Sequence, residues 1–218
     1  MSHPLRDYYD ATAEAWVKKR PRRAIRRQLA AILDQVPARR EAAVDVGCGG
    51  GVYTAGLVPL FRRVIGIDLS YAMVALAHRE VSSAVLCQAD ATRLPLQGQS
   101  VDFLVSCGLS EHLEDLGPFM AEIARVLRRD GRAVVRFVHR WSVWRPVIGR
   151  RYPGGFSVFS VRAVKVAAAN QGLDLRSVRH LHAAGPFTSF LPAVVDFGER
   201  VPGLSQAYLA TFEPVRRL

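Results

Sequence analysis

Five short apolar runs recur between residues 42 and 139, and the segments between them repeat their apolar positions at helical spacing. AAVDVG (42–47), RVIGIDL (63–69), AVLCQAD (84–90), VDFLVSCGL (101–109) and RAVVRFVH (132–139) read as strands rich in β-branched and small apolar residues. VYTAGLVPL predicts a short helix that stops before Pro59, because the residue ahead of a proline is pushed out of the helical region. Ser70 is placed to cap a helix over YAMVALAHRE. PFMAEIARVLRR predicts a helix with Pro118 near its start and basic residues in its last turn, and Asp130-Gly131 makes the turn into the fifth strand. Beyond it, SVRAVKVAAANQGL reads as a helix ended by Gly172, LRSVRHLH as a sixth strand, FTSFLPAVVDFGERVPG as a stretch carrying a helix, and AYLATFEPV as a last strand. WSVWRPVIGRRYPGG (141–155) is too rich in Pro and Gly for a continuous element and reads as a loop over a site. The first forty residues read as helices placed before the first strand. Strand and helix alternating over short links predict an α/β fold, with a mostly parallel seven-stranded sheet, helices on both faces, an N-terminal helical extension and a small lid.

Composition narrows the class. A chain of 218 residues, 50% hydrophobic, buries one sizeable core, so a single domain over 1–218 is expected. No run of 18 apolar residues predicts a membrane span, and MSHPLRDYYD lacks the apolar core of a signal peptide. Cys48, Cys87 and Cys107 lie far apart without CxxC spacing, which argues against a disulfide framework or a zinc site and fits a reducing cytoplasm. Net charge is +11, and Lys18, Lys19, Arg20, Arg22, Arg23, Arg26 and Arg27 crowd one short segment. That segment suits nucleic acid, an anionic membrane surface or an acidic substrate. It equally suits a solvated helix face in an arginine-biased composition, since only three of the 30 basic residues are Lys. No RNA-binding signature accompanies it.

The candidate chemistry begins at the end of the first strand, where Gly47, Gly49, Gly50 and Gly51 stand almost together. In an open parallel sheet, ligands sit beyond the carboxyl ends of the strands. Glycine there lets a ligand approach the backbone, although Gly50 also suits a tight turn without ligand contact. Asp68 closes the second strand 21 positions after Gly47, where a carboxylate can accept the hydroxyls of a ribose. Asp90, between Ala89 and Ala91 at the end of the third strand, is placed to read an adenine edge. A dinucleotide fingerprint needs a third glycine at 52 or 54, which are Val52 and Thr54. The spacing is instead D-x-G-x-G-x-G from Asp45, and that carboxylate suits a ligand with an ammonium and a sulfonium better than a pyrophosphate.

VDVGCGGG, GIDLS, QADATRLPL, VDFLVSCGLSEHLED and LRRDGRAVVRF stand in an order and spacing that resembles the class I S-adenosylmethionine-dependent methyltransferases. The resemblance covers residues 42–139, with a weaker echo in DYYDATAEAW. It implies a Rossmann-like sheet divided into an N-terminal helical lid (1–41), a cofactor-binding core (42–139) and acceptor-side elements with the last strands (140–218). It implies S-adenosylmethionine as cofactor. Asp45 and the loop of Gly47, Cys48, Gly49 and Gly51 then hold the amino-acid part, and Asp68 the ribose. Leu69 and Met73 flank the adenine, Asp90 and Ala91 meet its amine, and Cys107 also counts among the contacts, though Met73 suits ordinary helix core as well.

Methyl transfer from a sulfonium needs alignment above all, and a general base only where the acceptor arrives protonated. His112, in LSEHLED, is the candidate base; packing at a helix start or contact with the cofactor suits it too. His139 is a second candidate. A metal-binding E-x-x-E-H pattern, seen in some quinone-precursor O-methyltransferases, would need glutamate at 108, which is Gly108, so no metal is expected. Tyr8, Tyr9 and Trp16 suit a lid or an ordinary amphipathic helix. Trp141, Trp144, Tyr152, Phe156, Phe187 and Phe190, bordered by Arg140, Arg145, Arg150 and Arg151, suit an apolar acceptor or a lid core. The leading expectation is O-methylation of a quinone-like, lipid-linked, sugar or secondary-metabolite hydroxyl. The alternatives are an RNA or protein methyltransferase docking through the Arg-rich segment, and a non-catalytic cofactor-binding partner protein. An N-P-P-Y/F motif is absent after the fourth strand, which disfavours DNA adenine methylation.

Overall fold

The computed structural model describes residues 4–18, 22–138, 156–181 and 207–215. Two helices, α1 (Pro4–Lys18) and α2 (Arg22–Leu33), precede β1 (Ala42–Val46). There follow α3 (Val52–Leu57), β2 (Arg63–Asp68), α4 (Tyr71–Glu80), β3 (Val85–Gln88), β4 (Val101–Cys107), a 3-10 turn (Ser110–His112), α5 (Gly117–Val126) and β5 (Leu127–Val138). The last described elements are α6 (Val161–Asn170), β6 (Leu173–Leu181) and β7 (Ala207–Pro214). His139, Arg140, the 141–155 loop with Trp141, Trp144, Arg145, Arg150, Arg151 and Tyr152, and the expected helix around Phe187 and Phe190 lie outside the described residues, as do Lys19 and Arg20.

The strands form one seven-stranded sheet in the order β3-β2-β1-β4-β5-β7-β6. β1 to β5 run parallel, while β7 pairs antiparallel with both β5 and β6. Strand alternation sends side chains to two cores. On one face Val44, Val46, Leu104, Val135 and Phe137 pack under α5 and α6. On the other, Ala43, Phe103, Val105 and Val134 pack with Ala31 and Ile32 of α2 and with Tyr53 and Leu57 of α3. Asp102, 1% exposed, pins the start of β1 by accepting from the Glu41 and Ala42 amides, each at 2.8 Å.

One boundary departs from the sequence pattern. α5 stops at Val126, so Arg125 is the basic residue in its last turn and Arg128 and Arg129 lie beyond it. Leu127 continues the helical apolar spacing, yet it turns extended and pairs with Val101 in the sheet. The register then shifts, with Phe103 next facing Arg132, so the Asp130-Gly131 turn is looped out of the ladder. The Ser70 cap stands as expected: its hydroxyl accepts from the Met73 amide at 3.1 Å. Gly172 ends the α6 segment at φ +73.

Candidate active site

The chain runs outward from β1 through β2 to β3, then crosses to β4 on the other side of β1. At such a reversal the loops leaving the carboxyl ends of the strands diverge and open a crevice. Here it is a cavity of about 300 Å³. Its walls come from the turns after β1 (Gly47, Gly49), β2 (Asp68, Leu69, Ser70), β3 (Ala89 to Thr92) and β4 (Gly108, Leu109), and its roof from α1.

The turn after β1 is shaped by left-handed glycines, at φ +75 for Gly47, +52 for Gly49 and +80 for Gly51. The Gly47 and Cys48 amides donate to the Ile67 carbonyl at 2.7 and 3.0 Å, which draws the turn against the end of β2. There the Asp68 carboxylate accepts from the Gly49 amide (2.8 Å) through Oδ2 and from the Ser70 amide (2.9 Å) through Oδ1. After β3, Asp90 Oδ1 accepts from both the amide and the hydroxyl of Thr92, each at 2.8 Å.

Of the residues singled out in the sequence, Gly47, Gly49, Asp68, Leu69, Met73, Asp90, Ala91 and His112 line this cavity. Asp45, Cys48, Gly51 and Cys107 do not; they are buried. Alternation along β1 explains Asp45, since Val46 faces the cavity and its neighbour faces the other way. Asp45 Oδ2 accepts from the Thr54 hydroxyl at 2.7 Å, tying β1 to α3. Burial, with the nearby Asp45 and Asp68 charges, pushes the Cys48 thiol up, so it stays protonated and unreactive.

His112 closes the 3-10 turn after β4. Its Nε2 lies 2.8 Å from the Tyr9 hydroxyl, and the two rings meet edge to face with centroids 5.4 Å apart. Burial lowers its pKa, opposed by the Glu111 carboxylate, so the imidazole is neutral at pH 7. Glu111 itself is buried and forms a 2.6 Å ion pair with Arg136 of β5. The Ser110 hydroxyl stands 3.0 Å from Glu111 Oε2 and 2.9 Å from the Arg136 carbonyl. Among the described residues, no three His, Cys, Asp or Glu side chains converge to hold a metal ion.

Tyr9 and Trp16, which the sequence offers for a lid, line the roof from α1, and Ala13 is buried on the same helical stripe. Several other lining residues carry no sequence signal, Leu5 of α1 among them. Arg6, Glu114, Asp115 and Pro118 also line the cavity. Asp10 Oδ1 accepts from the Ser70 hydroxyl at 2.6 Å and the Ala72 amide at 3.0 Å, and no sequence signal marks it. Tyr8 and Trp16 each meet Tyr9 edge to face. The exposed Arg23, Arg26 and Arg27 of α2 do not line the cavity.

Residues 44–135 match the family model for a methyltransferase domain. The chain is 37% identical over 98 residues to a probable S-adenosylmethionine-dependent methyltransferase of Mycobacterium tuberculosis, covering 44% of this chain and 35% of that one. These matches support a class I S-adenosylmethionine-dependent methyltransferase, with the methyltransferase domain at residues 44–135. It is 33% identical over 140 residues to the malonyl-acyl-carrier-protein O-methyltransferase of Hahella chejuensis, covering 60% of this chain and 50% of that one. The chain thus spans half or less of the length of these two relatives. Its fold matches a chain from the complex between the Haloferax volcanii Trm112 methyltransferase activator and a methyltransferase, with TM-score 0.78, 19% identity, and coverage of 95% of this chain and 98% of that one.

The cofactor of this methyltransferase family carries a sulfonium and an ammonium on a nucleoside, and the cavity fits it. Among the described residues, Asp68, Asp90, Glu114 and Asp115 contribute four carboxylates to the lining against the one guanidinium of Arg6, in a chain whose net charge is +11. A crevice of one sign attracts a ligand of the other, and here it favours a cation over a pyrophosphate. Met73 and Leu69 add apolar surface to the lining.

Proposed function

We propose that the protein transfers the methyl group of S-adenosylmethionine to an oxygen of a small-molecule acceptor, with His112 taking the acceptor's proton. One observation carries the reading: an acidic cavity in a basic chain, with a neutral imidazole on its wall. When bound, the cofactor supplies an electrophilic methyl. In this reading Gly47, Gly49, Asp68, Leu69, Met73, Asp90 and Ala91 hold it, while Asp45, Cys48, Gly51 and Cys107 brace the loop and strand ends from behind.

His112 binds nothing permanently in this account; it receives one proton at a ring nitrogen as the acceptor oxygen attacks. A neutral imidazole suits a phenolic or activated hydroxyl, because its basicity lies close to working pH. The O-methyltransferase activity in the Hahella chejuensis relative's name supports oxygen as the atom methylated. Leu5, Trp16, Leu113 and Pro118 line the cavity and suit an acceptor with an apolar body, such as a quinone-like, lipid-linked or secondary-metabolite hydroxyl. No disulfide joins Cys48, Cys87 and Cys107, and we assign the reaction to the reducing cytoplasm. No described helix is long and apolar enough to cross a membrane.

The test is incubation of the pure protein with methyl-labelled S-adenosylmethionine and a cell extract. Label in the small-molecule fraction, bound through oxygen, is expected. Label confined to RNA or protein replaces this reading with a macromolecular acceptor, and cofactor binding without any labelled product leaves a non-catalytic binding protein.

A further inference from the structure

The side chains of residues 109–112 divide between two directions. A 3-10 turn has three residues per turn, so side chains three apart point the same way. Leu109 and His112 accordingly line the cavity, while Ser110 and Glu111 between them are buried and do not line it. Both of the inner residues reach Arg136 of β5. The Glu111 carboxylate, 0% exposed, pairs with the Arg136 guanidinium at 2.6 Å. The Ser110 hydroxyl stands 2.9 Å from the Arg136 carbonyl and 3.0 Å from the Glu111 carboxylate. From the segment ahead of α6, the Ser157 amide donates to the Glu111 carbonyl at 2.7 Å.

An ion pair is a poor device for stability in such a place. Apolar residues of matching volume commonly serve a buried site as well or better. What two charged, hydrogen-bonded groups supply is direction, because their short contact is met in few arrangements, whereas apolar surfaces slide. Direction matters at this turn. Glu111 and His112 are consecutive, so a carboxylate held on Arg136 fixes the backbone from which the imidazole projects. The ring then meets the Tyr9 hydroxyl at 2.8 Å, and burial there keeps it neutral.

We propose that Glu111 and Arg136 are positioning residues for methyl transfer: with Ser110 they clamp the turn after β4, so that His112 is held toward the cavity in the orientation that receives the acceptor's proton. Among the described residues β5 contributes nothing to the cavity lining, and it acts on the reaction only through this pair. The inference rests on the reading of His112 as the proton acceptor. It gives a purpose to a buried pair of charges that neither binds a ligand nor is needed to fill the core.

The test compares the wild type with the double variant Glu111→Met/Arg136→Met, which strands no charge, and with Ser110→Ala, which alters none. NMR titration of the His112 ring is the first readout. The charged and titratable groups around that ring are Tyr9 on α1, Glu111 beside it with Arg136 behind, and Arg6, Glu114 and Asp115 in the same lining. Loss of the Glu111 charge alone would lower the ring's pKa, since that charge raises it. A loosened, solvated ring instead titrates higher, toward 6.5. A rise is expected in both variants, the larger in the double variant. With methyl-labelled S-adenosylmethionine and cell extract, label transfer by the double variant is expected to fall by about 10²-fold, the scale for misplacing a reacting group. Its urea midpoint is expected to stay near that of the wild type, and S-adenosylhomocysteine to bind it normally by calorimetry. If the ring titrates at or below its wild-type value in both variants, the positioning role is overturned and the pair is only structural. A loss of label transfer without that rise overturns it equally. If the wild type labels nothing, the O-methylation reading falls, while the titration still decides whether the pair holds the ring.

Discussion

The Gly49 amide donates to Asp68 Oδ2 at 2.8 Å, so the glycine turn after β1 and the carboxylate ending β2 are one unit. Chain spacing places the two 19 positions apart, and the hydrogen bond brings them to a single corner of the cavity. Replacement of Asp68 should accordingly be felt in ligand binding. Asp68→Ala is expected to weaken S-adenosylmethionine by about 1.5–3 kcal/mol, the scale for hydrogen bonds to a charged group. Calorimetry of Asp68→Ala beside Asp68→Asn, with unfolding measured in parallel, separates a lost ligand contact from a slackened turn. Unchanged affinity in both variants rules out a ribose contact.

His112 should titrate below the ordinary histidine value of 6.5, because burial disfavours the imidazolium. The sign for stability follows. The unfolded chain takes up the proton at about 6.5 and the folded chain only lower, so stability falls as pH drops through that window and levels off below the folded pKa. Denaturant unfolding between pH 5 and 7 should show this fall, and His112→Gln should flatten part of it. Were the ring to titrate at or above 6.5 by NMR, its buried, neutral state would be disproved.

Once an acceptor is identified, His112→Gln is expected to lower turnover by about 10²–10⁴-fold with cofactor affinity little changed, the range for loss of a general base. Wild-type turnover in His112→Gln and His112→Ala removes the imidazole from the chemistry.

Gly51 makes a different prediction, on stability alone. At φ +80 it sits in the region that side chains disfavour, and an added Cβ would stand 3.1 Å from Ala77 Cβ and 3.2 Å from Val81 Cγ2. Strain and crowding together should cost Gly51→Ala about 2 kcal/mol or more. A shift of the urea midpoint checks this, and no shift would mean that the turn relaxes freely.

The buried Glu111–Arg136 pair gives an asymmetric expectation. Arg136→Met strands a carboxylate whose side chain is 0% exposed and should cost about 3–5 kcal/mol. Glu111→Met with Arg136→Met should recover most of that loss, since removing both charges removes the desolvation penalty. A double-mutant cycle in denaturant measures both, and additivity would deny that the two are coupled.

Much of this was legible in the chain. Strands β1 to β5 announced themselves because buried parallel strands are short apolar runs bounded by turns, and Gly47, Asp68 and Asp90 because they end such runs. What stayed hidden depended on contacts between distant segments. Leu127 satisfied a helical period and was claimed instead by Val101. Asp10 looked like any solvated acid on a helix until Ser70 was found beside it. Asp45 and Cys107 are next to cavity residues in sequence, but pleating turns alternate side chains to opposite faces.

The position of β7 has a consequence for biosynthesis. It inserts between β5 and β6 although it follows both in the chain, so β6 has no described sheet partner until β7 has been made. A polypeptide leaving the ribosome can assemble β1 to β5, which carry the strand ends bordering the cavity, while the outer ladder of β5 stays open. Nascent chains should thus gain affinity for the nucleoside before they lose their tendency to associate edge to edge, and a stall ahead of β7 should release a ligand-competent but aggregation-prone product.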